Sequence, residues 1–216
     1  MVSQATTDLS SRDAILTAAI EAFKKSGFSG ARVDEIARRS GANKAMIYYH
    51  FGSKLELYKS VLLTLFGDVV TEVERLRASK LAPEEKLRAL YSAVARHFEA
   101  KPALPPIMLR EVLAGGESMD VEASHVLGTI LGFVAATVQE GVRAGRFRPV
   151  HPLVLHLSVL APLLVHSAGT DFRERLLPRE MPGLPGPSQA DMLAHLLESL
   201  DRTLAPEPAD ATRSQR

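Results

Sequence analysis

The chain contains no cysteine, which excludes a disulfide framework, Cys-ligated zinc and thiol chemistry. It also lacks a Gly-rich phosphate loop, a GxSxG turn, an HExxH pair and any carboxylate pair at a revealing spacing. The signatures of the common enzyme classes are therefore missing, and a non-enzyme without cofactor is expected. His151 and His156 are five residues apart, on different faces of a helix, which argues against a two-histidine metal site. The first ten residues show no basic start followed by an apolar stretch, so a cleaved secretory signal is not expected and a cytoplasmic location is. From Val150 to Gly169 the chain carries no formal charge, but it holds three histidines and is interrupted by Pro152 and Pro162. A buried helix fits this run better than a membrane span. Sustained strand alternation and internal repeats are absent too.

What is present is a 216-residue chain with 46% hydrophobic residues, enough for a continuous buried core. The net charge of +1 is unevenly spread. Residues 1–60 hold nine Lys/Arg against six Asp/Glu, and the remainder 17 against 19, which leaves a basic N-terminal module.

Helical spacing runs through almost every segment, so the fold class is all-α with about nine helices. The first opens at Ser10 or Ser11, buries Ile15, Ala18, Ala19, Ala22 and Phe23, and ends at Gly27. A short second helix carries Val33, Ile36 and Ala37 and stops at Ser40-Gly41. Asn43 caps a third, whose inward residues are Ile47 and Phe51. A long fourth helix is expected from about Lys54 to Ser79, and a fifth from Pro83 to Phe98. A sixth is expected from Pro106 to Ala114, a seventh from Ser118 to Gly145, and an eighth from Pro152 to Ala168. Four prolines and two glycines between Leu177 and Ser188 predict a loop before a last helix from Gln189 to Leu204.

Two short helices joined by a Gly-containing turn, with polar residues opening the second, describe a DNA-reading helix-turn-helix. Val33, Ile36, Ala37, Ile47 and Phe51 set the crossing, and Ser40-Gly41-Ala42-Asn43 reverses the chain. The exposed face then presents Asn43, Lys44, Met46, Tyr49 and His50, with Tyr48, Lys54 and Arg32 at its edges. Lys44, Lys54, Tyr48, Tyr49 and His50 suit phosphate oxygens, whereas Asn43, Ala45, Met46 and also Lys44 are placed for base edges. Spacing alone equally fits an ordinary helical hairpin with solvated charges.

Over residues 12–57 the sequence resembles the N-terminal domain of the tetracycline-repressor (TetR) family. The resemblance rests on Val33-Asp34-Glu35-Ile36-Ala37, Ser40-Gly41-Ala42-Asn43-Lys44, Ile47-Tyr48-Tyr49-His50-Phe51 and Lys54, in that order and spacing. It implies an Ω-shaped homodimer with residues 1–53 as the DNA-binding domain and 54–205 as the ligand and dimerisation domain; the chain after Ala205, residues 206–216, is expected to be a disordered tail. The resemblance further implies phosphate contacts for Tyr48, Tyr49, His50 and Lys54, and an approach to the bases by residues Asn43 to Met46; Ala42, just before them, is counted with the DNA-binding residues. The chain departs from the family pattern where Arg32 replaces the usual Ser or Thr, Asn43 the common Ser, and Ala45 the common Gly. An arginine cannot cap a helix through an acceptor oxygen, so its guanidinium must take over the phosphate contact or the contact is lost.

The family precedent places a small-molecule ligand, expected to be largely apolar, among the helices that follow. Tyr91, His97, Met108, Arg110, His125, Thr129 and Gln139 are the polar or adaptable residues nearest that space. Gly128, Gly132 and Ala136 form a small-residue stripe that either admits a close helix or leaves room for a ligand. The eighth helix is apolar on nearly all sides and has to be buried all round, as pairing of it and the last helix with a twofold mate would achieve. The expected partners are thus a palindromic operator in double-stranded DNA, a small molecule and a second copy of the chain, and no membrane. Repression is the habit of the family. The alternative is a ligand-binding helical bundle that does not bind DNA.

Overall fold

The computed structural model describes residues 2–67, 69–119, 121–181, 183 and 185–206, and among them are eleven helices and no strand. They are α1 (Val2–Gly30), α2 (Val33–Ser40), α3 (Lys44–Phe51), α4 (Lys54–Phe66), α5 (Val69–Arg77), α6 (Pro83–Ala100), α7 (Leu104–Leu113), α8 (Val121–Arg143), α9 (Pro152–Ala168), α10 (Thr170–Glu180) and α11 (Gln189–Leu204). The two helices beyond the expected nine have identifiable causes. Gly67, at φ 48° and ψ −125°, breaks the long fourth helix into α4 and α5, because that backbone conformation is one only glycine adopts readily. The Pro/Gly-rich loop is shorter than expected, since α10 runs on to Glu180. Helix α1 begins at Val2 rather than at Ser10 or Ser11; no glycine or proline stands between them to stop it. The expected tail beyond Pro206 lies outside the described residues.

The helices divide into two units, residues Met1–Asp68 with Phe98–Val126, and Val69–His97 with Leu127–Arg216. In the first, α1 packs against α2, α3, α4 and α7. Ile15, Ala19 and Phe23 of α1, Ile36 of α2, Ile47 of α3 and Leu57 of α4 are fully enclosed. Tyr58 sits edge-on to Phe23, with ring centroids 4.7 Å apart, and lies 5.2 Å from Phe28. Its hydroxyl donates to Glu111 Oε1 at 2.5 Å, while Glu111 Oε2 is buried without a hydrogen-bond partner. Burial and then the Glu111 carboxylate push the Tyr58 phenol well above its ordinary pKa. One polar bond thus ties α4 to α7 inside an apolar core.

In the second unit α11 packs on α9. Its start is fixed by a capping box in which Ser188 Oγ accepts from the Asp191 N–H and the Asp191 carboxylate accepts from the Ser188 N–H. Ion pairs join Glu84 to Arg146, Lys86 to Glu140 and Arg88 to Asp201. The Phe147 ring lies so close over Gly141 that a Cβ there would stand 2.0 Å from it, so this stretch of α8 requires glycine. Tyr91 and His156 are both buried, with the phenol oxygen 3.3 Å from His156 Nδ1. Burial holds the His156 imidazole below its ordinary pKa. Burial, followed by the nearby Arg173 charge, does the same to His166.

Two outcomes are expected. Tyr58→Phe keeps the ring and removes the hydroxyl, leaving a buried carboxylate without its donor; urea unfolding should show a loss of about 1–3 kcal/mol. The two depressed histidines bind protons more weakly in the folded state than in the unfolded one. The stability they contribute is therefore fully present above an unfolded pKa of about 6.5 and is lost as pH falls through the folded values. The urea midpoint should drop between pH 7 and pH 5, and His156→Gln should make that drop smaller.

Candidate nucleic-acid interface

The loop between α2 and α3 is built by short local bonds. Gly41 takes the left-handed conformation at φ 72° and ψ 6°, which a side chain would disfavour. Ser40 Oγ donates to the Ala37 carbonyl at 3.1 Å and accepts from the Ala42 N–H at 3.3 Å. Asn43, in extended backbone, caps α3 by accepting from the Met46 N–H at 2.9 Å. At the far end the Gly52 N–H returns to the Tyr48 carbonyl at 2.8 Å, and Ser53 caps α4 through the Glu56 N–H. Helix α3 is thus defined at both ends and pinned inward by Ile47 and Phe51.

The outward face of α3 gathers Asn43, Lys44, Ala45, Tyr48 and Tyr49, all exposed, with Tyr49 at 75% the most open of its large side chains. Ala42, Met46 and His50 are half-buried at its borders; His50 is edge-on to Tyr49 with centroids 5.1 Å apart. Arg32 is exposed at the start of α2 and makes no side-chain cap. Lys54 is drawn inward instead. Its ammonium donates to the Ser29 carbonyl at 3.4 Å and lies 4.8 Å above the Phe28 ring, where partial burial lowers its pKa.

One member of this surface escaped the sequence reading. Asp34, in the first turn of α2, holds Lys44 Nζ at 2.6 Å from its Oδ1, and that hydrogen bond and charge raise the lysine pKa. The residues are ten apart and on different helices, so no local spacing rule pairs them. Their opposite charges in a compact hairpin were the available signal.

The residues expected near a ligand have diverse surroundings. Tyr91 is buried beside His156 and Met108 is buried on α7, while His97 and Thr129 are half-buried. His125 is exposed. Arg110 Nη2 donates to the Lys25 carbonyl at 3.0 Å, next to the break in α1 at Gly27, which has φ 66° and ψ −178°. Gln139 lines a hollow of about 430 Å³ with Val138, Val142, Arg143, Pro149 and Pro152. A larger one of about 600 Å³ lies between α10 and the loop that follows it.

A capped second helix, pinned inward by two apolar residues and presenting amide, ammonium and phenol groups outward, defines a helix-turn-helix DNA-binding protein. Family models agree along the chain. Residues 15–61 match bacterial regulatory proteins of the tetR family, and residues 83–198 match the tetracyclin repressor-like C-terminal domain. The chain belongs to the TetR family of bacterial transcription regulators. It is 33% identical over 141 residues to the HTH-type transcriptional repressor NicS of Pseudomonas putida, covering 63% of this chain and 66% of that one. The HTH-type transcriptional regulator RutR of Escherichia coli K12 is 26% identical over 176 residues, 76% of this chain and 82% of that one. The crystal structure of the TetR family regulator PfmR from Thermus thermophilus superimposes with a TM-score of 0.64 at 25% identity, covering 87% of this chain and 97% of that one.

Asn43→Ala removes the cap of α3 and should cost about 1 kcal/mol in urea unfolding, whereas Asn43→Ser, which keeps an acceptor oxygen, should recover most of it.

Proposed function

We propose that this protein is a dimeric repressor that binds a palindromic operator through α3 and leaves it when a small, largely apolar molecule binds the C-terminal helices. The observation that carries the reading is the outward face of α3, fixed by Ile47 and Phe51 and capped by Asn43. Asn43, Lys44, Ala45 and Met46, with Ala42 before them, approach base edges. Tyr48, Tyr49 and His50 bond phosphate oxygens, and the Arg32 guanidinium stands in for the hydroxyl usual at that position. Lys54 adds positive charge beside them.

Residues 1–53 serve as the DNA-binding domain and 54–205 as the domain for ligand and dimerisation. Leu153, Leu157, Ala161 and Val165 recur every fourth residue on α9 and are exposed in the single chain. A twofold mate packed on α9 and α11 hides this stripe. The candidate ligand residues are Met108, Arg110 and His125 in the first unit and Tyr91, His97, Thr129 and Gln139 in the second. Release follows from linkage: a ligand that prefers a dimer whose α3 helices no longer match successive major grooves, about 34 Å apart, weakens DNA binding. The protein acts in the cytoplasm, where operator DNA is accessible.

The test is to mix the purified protein with fragmented genomic DNA from its source, recover bound fragments at moderate salt and sequence them. One palindromic site should be enriched. Affinity for it should fall steeply between about 50 and 200 mM salt, and Tyr48→Ala/Tyr49→Ala should abolish the enrichment. Enrichment that persists in this variant, or none in the wild type, would favour a helical bundle that does not read DNA through α3.

A further inference from the structure

Two carboxylates stand in the first turn of α2, and they are used differently. Glu35 pairs along its own helix with Arg39 at 3.6 Å, an i, i+4 contact that leaves α3 untouched. Asp34 reaches across the turn to Lys44 at 2.6 Å, the first residue of α3 after its cap. The N-terminal residues of a recognition helix are those that meet base edges. A free lysine there would bond whichever phosphate came near, on any sequence, because its ammonium is a compact charge on a flexible stem. A carboxylate at hydrogen-bond distance limits that freedom in two ways. It orients the ammonium along one direction at the mouth of the helix, and it cancels the charge that a phosphate would otherwise neutralise.

We propose that Asp34 is a specificity-determining residue: it holds Lys44 in place for base reading and withholds it from sequence-independent binding to the DNA backbone. This rests on the reading of α3 as the DNA-contacting helix. Non-specific affinity is set almost entirely by phosphate contacts, each of which steepens the salt dependence by about 0.9 in log–log slope. A lysine already paired within the protein is removed from that count. At the preferred site Lys44 keeps its direction and offers its remaining N–H groups to a purine edge. The acidic partner thus lowers background binding while leaving recognition intact.

The experiment measures affinity for the enriched palindromic fragment and for an unrelated fragment over a range of salt concentrations. It uses wild type, Asp34→Asn, Glu35→Gln, Lys44→Ala and the Asp34→Asn/Lys44→Ala double variant, each checked for an unchanged helical melting curve. Asp34→Asn should tighten binding to unrelated DNA by roughly two- to five-fold, the scale of one exposed ion pair. It should steepen that salt slope by about one, and lower the ratio of specific to unrelated affinity. Glu35→Gln should leave the ratio as it is, and Asp34→Asn should have no effect on it once Lys44 is alanine. Equal tightening on both fragments, or the same change in the Lys44→Ala background, would reduce the effect to net charge and overturn the proposal. Weaker binding to both fragments would overturn it as well. Should wild type itself fail to prefer the enriched fragment, the DNA-reading assignment of α3 fails instead, and this inference with it. Asp34→Ser repeats the test with a different neutral side chain if the asparagine variant melts differently.

Discussion

A helix of eight residues does not persist in water, because its nucleation cost is not recovered over two turns. Both α2 and α3 have that length, and they exist because Ile36 and Ile47 are fully enclosed in the core they share with Ile15, Ala19, Phe23 and Leu57. This apolar clamp is the constraint on which the rest depends. It sets where α3 lies, and so which side chains face outward. The caps at Asn43 and Ser53 and the left-handed Gly41 then define where each helix begins and ends. On the outer face Asn43 caps the helix and Lys44 is held by Asp34, while Tyr48 and Tyr49 stand exposed.

The clamp does not end at the helix-turn-helix. Helix α7 belongs to the same unit as α1 to α4, and its buried Glu111 and exposed Arg110 both bond back to that unit. Glu111 takes the Tyr58 hydroxyl, and Arg110 satisfies the Lys25 carbonyl where α1 breaks. A buried carboxylate with one oxygen lacking a partner is costly, and the Tyr58 hydroxyl offsets part of that cost. The rings of Phe23 and Phe28 pack on Tyr58 and so hold the donor in position.

Much of this was legible in the sequence, for physical reasons that differ by element. The core of the helix-turn-helix could be read because its apolar residues recur at helical spacing, and its turn because Gly41 and Asn43 have strong local preferences. The boundaries of α9 and α11 were readable for the same reason, from Pro152 at one start and the Ser188 cap at the other. Gly67 was passed over because the apolar stripe continues on both sides of it, and a single glycine inside a periodic pattern is tolerated as often as it breaks a helix. Contacts between residues distant in sequence left no trace in spacing. Tyr58 and Glu111 are 53 residues apart, and Arg110 and Lys25 are 85 apart. Arg110 was therefore placed near the expected ligand space with no sign of its bond to the Lys25 carbonyl. The all-round apolarity of α9 was legible, and Leu153, Leu157 and Val165 are the residues it leaves exposed within one chain.

The bond between Tyr58 and Glu111 also bears on how such proteins can be recombined. A DNA-binding module cut at the end of α4 and grafted onto a foreign sensor would arrive without the acceptor for Tyr58 and without the guanidinium that bonds the Lys25 carbonyl beside the break in α1. The transplantable module is discontinuous in sequence, and any chimera that exchanges operators between relatives has to carry α7 along with the first four helices. Evolution by domain shuffling faces the same joint, which favours inheriting α7 and the head together even where the helices between them diverge.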